Sequence, residues 1–298
     1  LAFDDDKGKT LVSLGADDRH MVAVHDVTSG YLLFMSSTTC RKPFDVAFGN
    51  FGSEIVIVGI KYVLFFTFLA NHAATRHASA SFGRIGRLGT IQSYLSCAYL
   101  PNATCVVGTA DGHLYVFEGS SRELAKSIKA HDGFIYSMDA PWHRAEQVRA
   151  IVLVTGARDG DVKLWNGALE IISKFDNRGA GPIRSVFTSA DSSRILVGSQ
   201  AAAQLREFRT SDGVPTSVAL AGGGAAAGEL WGLAPHPVEK CVATASDDGA
   251  LAVWNIEAPD VRDARRYLTM LAGACRALAY SPDGKLIASC LGGPRQEA

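Results

Sequence analysis

The residues that could carry out chemistry are scattered along this sequence, and their spacing matches no common catalytic or metal-binding pattern. Eight histidines and six cysteines are present, but the sequence contains no CxxC pair and no His pair at helical HxxxH spacing. Such pairs are the usual sequence signature of a zinc site. No serine or cysteine lies in a GxSxG elbow, which positions the nucleophile of many hydrolases. The sequence therefore predicts no metal, no cofactor and no enzyme activity.

Two glycine-rich stretches could suggest nucleotide binding. Residues 222–227 read GGGAAA and fit G-x-G-x-x-A on paper, but no Val/Ile-rich strand precedes them and a strand is predicted after Glu229. A pyrophosphate needs the N-terminus of a helix at this point. Gly83, Gly86 and Gly89 are separated by arginines and lack the Lys-Ser/Thr of a phosphate loop. Neither stretch predicts a phosphate site.

One segment, residues 129–165, shows how the remaining polar residues are positioned. It holds three predicted strands, and an Asp-Gly turn at Asp159 joins the second strand to the third. Asp-Gly favours a tight hairpin, because glycine accepts positive φ without strain. This geometry would align His131, Thr155, Asp159 and Trp165 in one buried chain of hydrogen bonds, as buried polar groups require. We predict that these four residues stabilise a small antiparallel sheet.

The same pattern recurs along the chain. Thr244, Asp248 and Trp254 stand at the offsets of Thr155, Asp159 and Trp165, and a third copy has Asp111 in its turn and Phe117 in the aromatic position. Weaker copies place other residues in the aromatic position, namely His25, Phe66 and Phe208. Successive aromatic positions are 41 to 51 residues apart, close to the roughly 40 to 45 residues of a four-stranded propeller blade. The copies resemble WD40 repeats.

The predicted fold is therefore all-β, a WD40-type β-propeller of about seven four-stranded blades. Six blades are complete, the sixth running from residue 229 to about 260, and residues 276–290 supply two strands of another. The fifth blade should be looser, because three alanines at 201–203 replace its turn. Since a propeller must close or leave an exposed sheet edge, we predict that residues 1–298 form one propeller within a longer chain.

Composition is consistent with a cytoplasmic protein in which the cysteines are reduced. The chain has 298 residues, 47% of them apolar, and a net charge of −1, so no overall field attracts nucleic acid or an acidic membrane. Its most apolar window, residues 55–70, is too short to cross a bilayer and contains Lys61. We predict no nucleic-acid, membrane or small-molecule partner.

Two clusters of arginines are candidate contacts for an acidic partner. The first lies in a predicted loop after the second blade, with no acidic residue nearby in the sequence, and the second follows the sixth blade. The favoured interpretation of each cluster is a solvated surface, and a contact with an acidic partner is the alternative. The clusters consist of Arg76, Arg84 and Arg87, and of Arg262, Arg265 and Arg266.

Several segments resemble the echinoderm microtubule-associated-protein-like family in particular. They are GELWGLAPHP (228–237), VGIKYVLFFTF followed by a basic FGRIGRLGTIQ, IKAHDG and VTGARDGDVKLW, and they cover most of the chain in the family's order. The family's upstream hydrophobic motif and N-terminal coiled coil do not occur in this sequence.

The resemblance implies a microtubule-associated WD40 protein whose propeller binds tubulin or the microtubule wall as a non-catalytic cytoskeletal scaffold. It implies a location in the cytoplasm on the cytoskeleton, and points to cilia or flagella as candidate sites. The alternative hypothesis is a general WD40 scaffold that binds a peptide of another complex in its central channel. An enzyme built on a propeller is the third and least favoured hypothesis.

Overall fold

The protein is a ring of antiparallel β-sheets arranged as the blades of a propeller. The structure is a computed structural model, and every strand pairing within its sheets is antiparallel. It describes residues 1–4, 9–15, 18–38, 40–49, 52–68, 78–118, 121–141, 151–176, 181–189, 191–200, 204–216, 220–221, 230–258 and 265–291.

Six sheets have four strands and one has two, and strand order within each sheet follows the chain. Blades one to three consist of β1 (Ala2–Phe3), β2 (Thr10–Leu14), β3 (Met21–Asp26), β4 (Leu32–Ser37); β5 (Pro43–Gly49), β6 (Glu54–Gly59), β7 (Tyr62–Phe68), β8 (Ala78–Phe82); and β9 (Tyr94–Tyr99), β10 (Cys105–Thr109), β11 (His113–Phe117), β12 (Leu124–Lys129). Blades four and five consist of β13 (Ile135–Asp139), β14 (Leu153–Ala157), β15 (Asp161–Trp165), β16 (Ile171–Asp176); and β17 (Ile183–Thr188), β18 (Arg194–Ser199), β19 (Gln204–Arg209), β20 (Leu220–Ala221). Blades six and seven consist of β21 (Leu230–Pro235), β22 (Cys241–Ser246), β23 (Ala250–Asn255), β24 (Arg265–Met270); and β25 (Cys275–Tyr280), β26 (Ile287–Leu291).

The first strand of each blade lies next to the first strands of its neighbours, so these strands surround the axis of the ring. The predicted all-β propeller with six complete blades and a partial one is confirmed. No helix among the described residues has the length and apolar character needed to cross a membrane.

The blades are held together by apolar side chains packed between neighbouring sheets. Second strands carry continuous apolar runs, and every residue of β6, β10 and β14 is buried. Between blades three and four, for example, Leu114 and Ile135 pack in one cluster with Leu153 and Trp165. Burying each such side chain stabilises the fold by about 1.5–3 kcal/mol. The core is therefore divided into layers, one at each blade interface.

Side chains also join the first strands directly. The carboxylate of Asp45 accepts a hydrogen bond from the backbone amide of Cys97 at 2.9 Å, which ties blade two to blade three. The Oγ of Ser96 donates to the carbonyl of Ile135 at 2.9 Å, and that of Ser137 accepts from the amide of Val186 at 3.1 Å. These polar contacts fix the positions of blades two to five around the axis.

A β-bulge interrupts the first strand in six of the seven blades. At each bulge the register with the second strand shifts by one, so one residue of the first strand has no residue opposite it in the second strand. These bulge residues are Phe44, Leu95, Tyr136, Arg184, Trp231 and Arg276.

Two predicted boundaries are wrong, and both errors concern outer strands. β8 lies inside the region predicted to be a basic loop, and the sixth blade continues to Met270 rather than ending near residue 260. Arg265 and Arg266 thus belong to β24. Outer strands expose most of their side chains, so they carry little of the apolar alternation by which strands are recognised. The alanines at 201–203, on which the looser fifth blade was predicted, lie outside the described residues.

Candidate functional site

Four polar side chains of the fourth blade form a continuous chain of hydrogen bonds. Nε1 of Trp165 donates to Oγ1 of Thr155 at 3.0 Å, and Oγ1 of Thr155 lies 2.8 Å from Nε2 of His131. Nδ1 of His131 lies 3.0 Å from Oδ2 of Asp159. An ionised carboxylate can only accept, so Nδ1 carries the imidazole proton and Nε2 accepts from the Thr155 hydroxyl. Every polar atom along the chain then has a partner.

Asp159 connects this chain to the backbone at one end of the blade. Its carboxylate also accepts hydrogen bonds from the amides of Asp132 at 2.9 Å and Asp161 at 3.0 Å. Burial opposes ionisation, but the hydrogen bonds from His131 and these amides outweigh it and hold the pKa of Asp159 below its usual range. The chain therefore fixes the loop before β13 and the turn after β14 against each other.

The sixth blade repeats part of this arrangement. Nε1 of Trp254 donates to Oγ1 of Thr244 at 2.7 Å. Oδ1 of Asp248 accepts from the amide of Ala250 at 2.9 Å and from the hydroxyl of Ser246. The turn and the indole are therefore each held within the blade, as in blade four.

The third blade keeps the turn but replaces the other two positions. Oγ1 of Thr109 donates to Oδ1 of Asp111 at 2.6 Å. Burial acts against ionisation of Asp111, yet hydrogen bonds led by that from Thr109 lower the pKa of Asp111 to about 2. Val107 and Phe117 occupy the positions of Thr155 and Trp165, so an apolar pair stands where blade four has a hydrogen-bonded pair.

The ligand atoms of His131, Asp159 and Asp161 lie within 4.8 Å of one another, a separation that a metal ion could bridge. Both ring nitrogens of His131 are already hydrogen-bonded, however, and Asp161 pairs with Lys174 at 2.8 Å. A metal ligand needs a free lone pair on the imidazole. The geometry thus assigns these atoms to the internal network.

The first predicted basic cluster is only partly described. Arg84 forms an ion pair with Glu123 at 3.0 Å, so it has an acidic neighbour in the fold although none lies near it in the sequence. Arg84 follows β8 of blade two and Glu123 precedes β12 of blade three. A local sequence pattern could therefore not predict this ion pair. Arg87 is exposed.

The second cluster is likewise only partly described. Arg265 is exposed on β24, and Arg266 pairs with Glu239 at 2.9 Å. Arg76 and Arg262 lie outside the described residues.

A further group of side chains, which the sequence does not predict, lies where the first strands of blades four and five begin. The Arg158 guanidinium lies 5.3 Å from the centre of the Phe134 ring, and that of Arg184 lies 4.1 Å from the centre of the Tyr136 ring. The two rings meet edge to face with their centres 5.7 Å apart. We call these four residues the arginine–aromatic cluster.

A buried ion pair between blades two and three also escaped the sequence analysis. Glu54 is 2% exposed and is bound by Arg122, whose Nη1 donates to it at 3.1 Å, and by the hydroxyl of Tyr99. The guanidinium also lies 4.5 Å from the centre of the Phe65 ring. Its partners are all internal, so this pair supports the blade interface.

A cavity of about 540 Å³ lies on the axis of the ring, at the ends of the first strands. Its lining includes Asp45, Tyr99, Asp139 and Tyr280. Burial raises the pKa of Asp45, although the amide of Cys97 acts in the opposite direction. Asp139 accepts a hydrogen bond from the amide of Thr188 at 2.7 Å. Polar groups in the lining thus take part in joining the blades.

The fold and its repeated blade network are those of a WD40-type β-propeller. The model of the WD domain, G-beta repeat, matches residues 122–166 and 222–255. The first match includes the fourth strand of blade three and the first three strands of blade four, and the second includes the first three strands of blade six.

Within this class, the chain's curated homologues are echinoderm microtubule-associated-protein-like proteins. It is 25% identical over 277 residues to echinoderm microtubule-associated protein-like 4 of Xenopus laevis, covering 86% of this chain and 27% of that protein. The corresponding human protein is 24% identical over 84% of this chain and 25% of its own length. The 77 kDa echinoderm microtubule-associated protein of Lytechinus variegatus is 24% identical over 65% of this chain and 27% of its own length. The chain therefore spans about a quarter of the length of the relatives it matches.

Proposed function

We propose that this chain is the propeller of a microtubule-associated WD40 protein that binds tubulin or the microtubule wall as a non-catalytic scaffold. The observation that carries the proposal is the extent of the homology. Similarity to proteins named for microtubule association runs through 84 to 86% of the chain in two of the relatives, rather than through isolated repeats alone. The proposal places the protein in the cytoplasm on the cytoskeleton, with cilia or flagella as candidate locations.

The use of the polar residues supports a scaffold rather than an enzyme. His131, Thr155 and Asp159 bond to one another or to the backbone, and Glu54 is paired with Arg122. A general base or nucleophile must instead reach a substrate atom from an accessible position. The chemically capable residues of the blades therefore serve the shape of the ring, and partner binding is left to its loops and rims.

The predicted partner-binding arginines give this proposal a testable surface. Arg87, between β8 and β9, and Arg265, on β24, are exposed, and both belong to the arginine clusters predicted to contact an acidic partner. Arg84 and Arg266 are engaged in ion pairs that a partner carboxylate would have to replace. We therefore expect Arg87 and Arg265 to contribute more to binding than Arg84 and Arg266.

Co-sedimentation with stabilised microtubules over a range of salt concentrations tests the proposal. We expect the wild-type chain to pellet at low ionic strength and to be released as salt rises, because salt screens exposed charge pairs. The double variant R87E/R265E should pellet less, whereas K126E, with a charge reversal on the exposed side of β12, should pellet like the wild type. Absence of wild-type pelleting at low salt would refute the proposal.

The axial cavity favours a second candidate, a scaffold that binds a peptide of another complex in the channel. Its volume of about 540 Å³ lies within the range of small ligand pockets. Binding there would depend on residues such as Tyr280 rather than on rim arginines. Loss of a partner from Y280A, combined with normal binding by R87E/R265E, would favour this candidate.

A further inference from the structure

We infer that the arginine–aromatic cluster of Phe134, Tyr136, Arg158 and Arg184 is a binding site for an extended, carboxylate-rich segment of a protein partner. The inference rests on the proposed function only in expecting that partner to be acidic protein. The cluster itself is defined by geometry, and none of its residues belongs to the predicted basic clusters.

Two members of the cluster occupy bulges. Tyr136 and Arg184 are the residues that the register shifts at the start of β13 and β17 skip. A bulge redirects the side chain of its extra residue and is often found beside functional sites. Both residues remain partly accessible, while their neighbours Ile135 and Ile183 are fully buried in the core. The sheet thus anchors the backbone of the cluster on both sides.

Arg158 is held by the turn of the blade network. Its amide donates to the carbonyl of Phe134 at 2.9 Å, and the next residue, Asp159, is fixed by His131 and two backbone amides. The Arg158 side chain extends over Gly133 and the Phe134 ring and is exposed. The cluster is thus organised before a ligand arrives, which reduces the entropic cost of binding.

Blade seven contains a related pair in which the bulge arginine binds a carboxylate. Arg276 occupies its bulge, in the position that Arg184 has in blade five, and its Nε binds Oδ1 of Asp247 at 3.2 Å. Asp247 precedes the turn aspartate of blade six, as Arg158 precedes that of blade four. At the interface of blades four and five, therefore, an arginine takes the place of the carboxylate. Two guanidinium groups now flank a pair of aromatic rings.

This arrangement selects carboxylates. A guanidinium stacked on a ring keeps its N–H groups at its edge, where they can bind a carboxylate in bidentate fashion. Arg158 forms no ion pair with any described residue. Nε of Arg184 donates to the neutral amide oxygen of Gln200 at 3.0 Å. Tyrosine and arginine are also the side chains most often responsible for binding energy at protein interfaces. We therefore assign to the cluster a segment with closely spaced Glu or Asp residues.

The test measures binding of a fluorescent glutamate homopeptide by anisotropy, with a glutamine homopeptide of equal length as control. The wild-type chain should bind the glutamate peptide more tightly than the glutamine peptide, and less tightly as salt rises. R158Q/R184Q should weaken binding at least about tenfold, the effect of losing one or two charge-assisted hydrogen bonds. R158K/R184K should lose part of the affinity, because lysine keeps the charge without the planar fork.

Matched variants separate this site from general charge. K126Q removes an exposed positive charge from β12, outside the cluster, and should leave peptide binding unchanged. Equal affinity for both peptides, or unchanged affinity in R158Q/R184Q, would overturn the inference. If the double variant melts below the wild type, R158Q alone provides the same comparison at an exposed position.

Microtubule pelleting of the same variants distinguishes this inference from the proposed function. Peptide binding that needs the cluster, without microtubule pelleting, supports the inference and contradicts the proposed function. The reverse result is equally informative. If R158Q/R184Q pellets with microtubules like the wild type, and the wild type binds the glutamate and glutamine peptides equally, the proposed function is supported and the inference is contradicted.

Discussion

The hydroxyl of Thr155 is the central atom of the network in blade four. It accepts a hydrogen bond from the indole N–H of Trp165 and donates one to Nε2 of His131, and Thr155 and Trp165 are almost completely buried. Blade three reaches the same sheet geometry with Val107 and Phe117 in these positions. The sheet therefore tolerates either pair, hydrogen-bonded or apolar. We infer that the energetic effect of Thr155 depends on the presence of Trp165, and the reverse.

A double-mutant cycle tests this dependence. T155V should reduce the free energy of unfolding by about 1–3 kcal/mol, because it leaves the indole N–H of Trp165 and Nε2 of His131 without partners. W165F should also destabilise, by removing buried volume. The double variant, which copies blade three, should be less destabilised than the sum of the single variants by about 0.5–3 kcal/mol. Chemical denaturation measures all four states, and strict additivity would show that the two positions are independent.

Acid should weaken the same network through Asp159. Because the pKa of this carboxyl is lower in the folded chain, its contribution to stability is fully present above the unfolded value of about 4. That contribution is lost as pH falls from there toward the folded pKa. D159N should therefore lower Tm at neutral pH, and its difference from the wild type should shrink below about pH 4. D132N, at the neighbouring carboxylate whose side chain is 94% exposed, is the control and should leave the pH profile nearly unchanged.

At the scale of the strand and turn, Gly112 shows how the backbone restricts sequence. It adopts φ +85°, and a Cβ at this position would lie 2.0 Å from the carbonyl oxygen of His131. Gly30 has a similar φ of +73°, but a Cβ there would meet no atom within 4 Å. A side chain at either position would therefore be strained by the positive φ, but only at Gly112 would it also overlap with the next blade.

Alanine substitutions at these positions should therefore differ in effect. G30A should cost about 1–2 kcal/mol, the price of a left-handed conformation for an L-residue. G112A should cost clearly more, since the loop containing His131 must move and its hydrogen bonds to the carbonyl of Gly112 must lengthen. Urea denaturation of both variants provides the comparison. Equal losses of stability would show that the loop adjusts freely.

Buried strands are easier to predict from this sequence than exposed ones. The sequence predicts β14 and β15 on either side of Asp159, because a buried apolar run, an Asp-Gly turn and an alternating strand occur together. The outer strands β8 and β24 were missed, since each pairs on one edge only and exposes most of its side chains. Their strand structure is imposed by hydrogen bonds to the neighbouring strand, which their own residues do not reveal.

The unpredicted sites depend on contacts between blades. Glu54 and Arg122 are separated by 68 residues, and Arg158 and Arg184 come from a turn and a bulge of adjacent blades. The network of blade four, in contrast, is confined to one repeat, whose spacing is visible in the sequence.

At the scale of the whole molecule, the described blades are not equally integrated into the ring. Blades two to five are joined by side chains between their first strands as well as by apolar layers. Where blades seven and one meet, β25 lies beside β1, which has two residues, and Sγ of Cys290 lies 4.0 Å from the carbonyl of Leu14. No residue of β26 is fully buried, whereas all of β14 is.

Local opening should therefore begin at the junction of blades seven and one. Regions with little buried apolar surface open at a lower free energy than the rest of a protein, so their amides exchange sooner. Hydrogen–deuterium exchange followed by mass spectrometry should show rapid exchange in β1 and β26 and slow exchange in β6, β10 and β14 under native conditions. The glutamate peptide should further slow exchange in the segments around Phe134 and Arg184 without affecting β26. Equal protection of β26 and β14 would mean that the ring opens only as one cooperative unit, and that its resistance to opening is not set by burial at each blade interface.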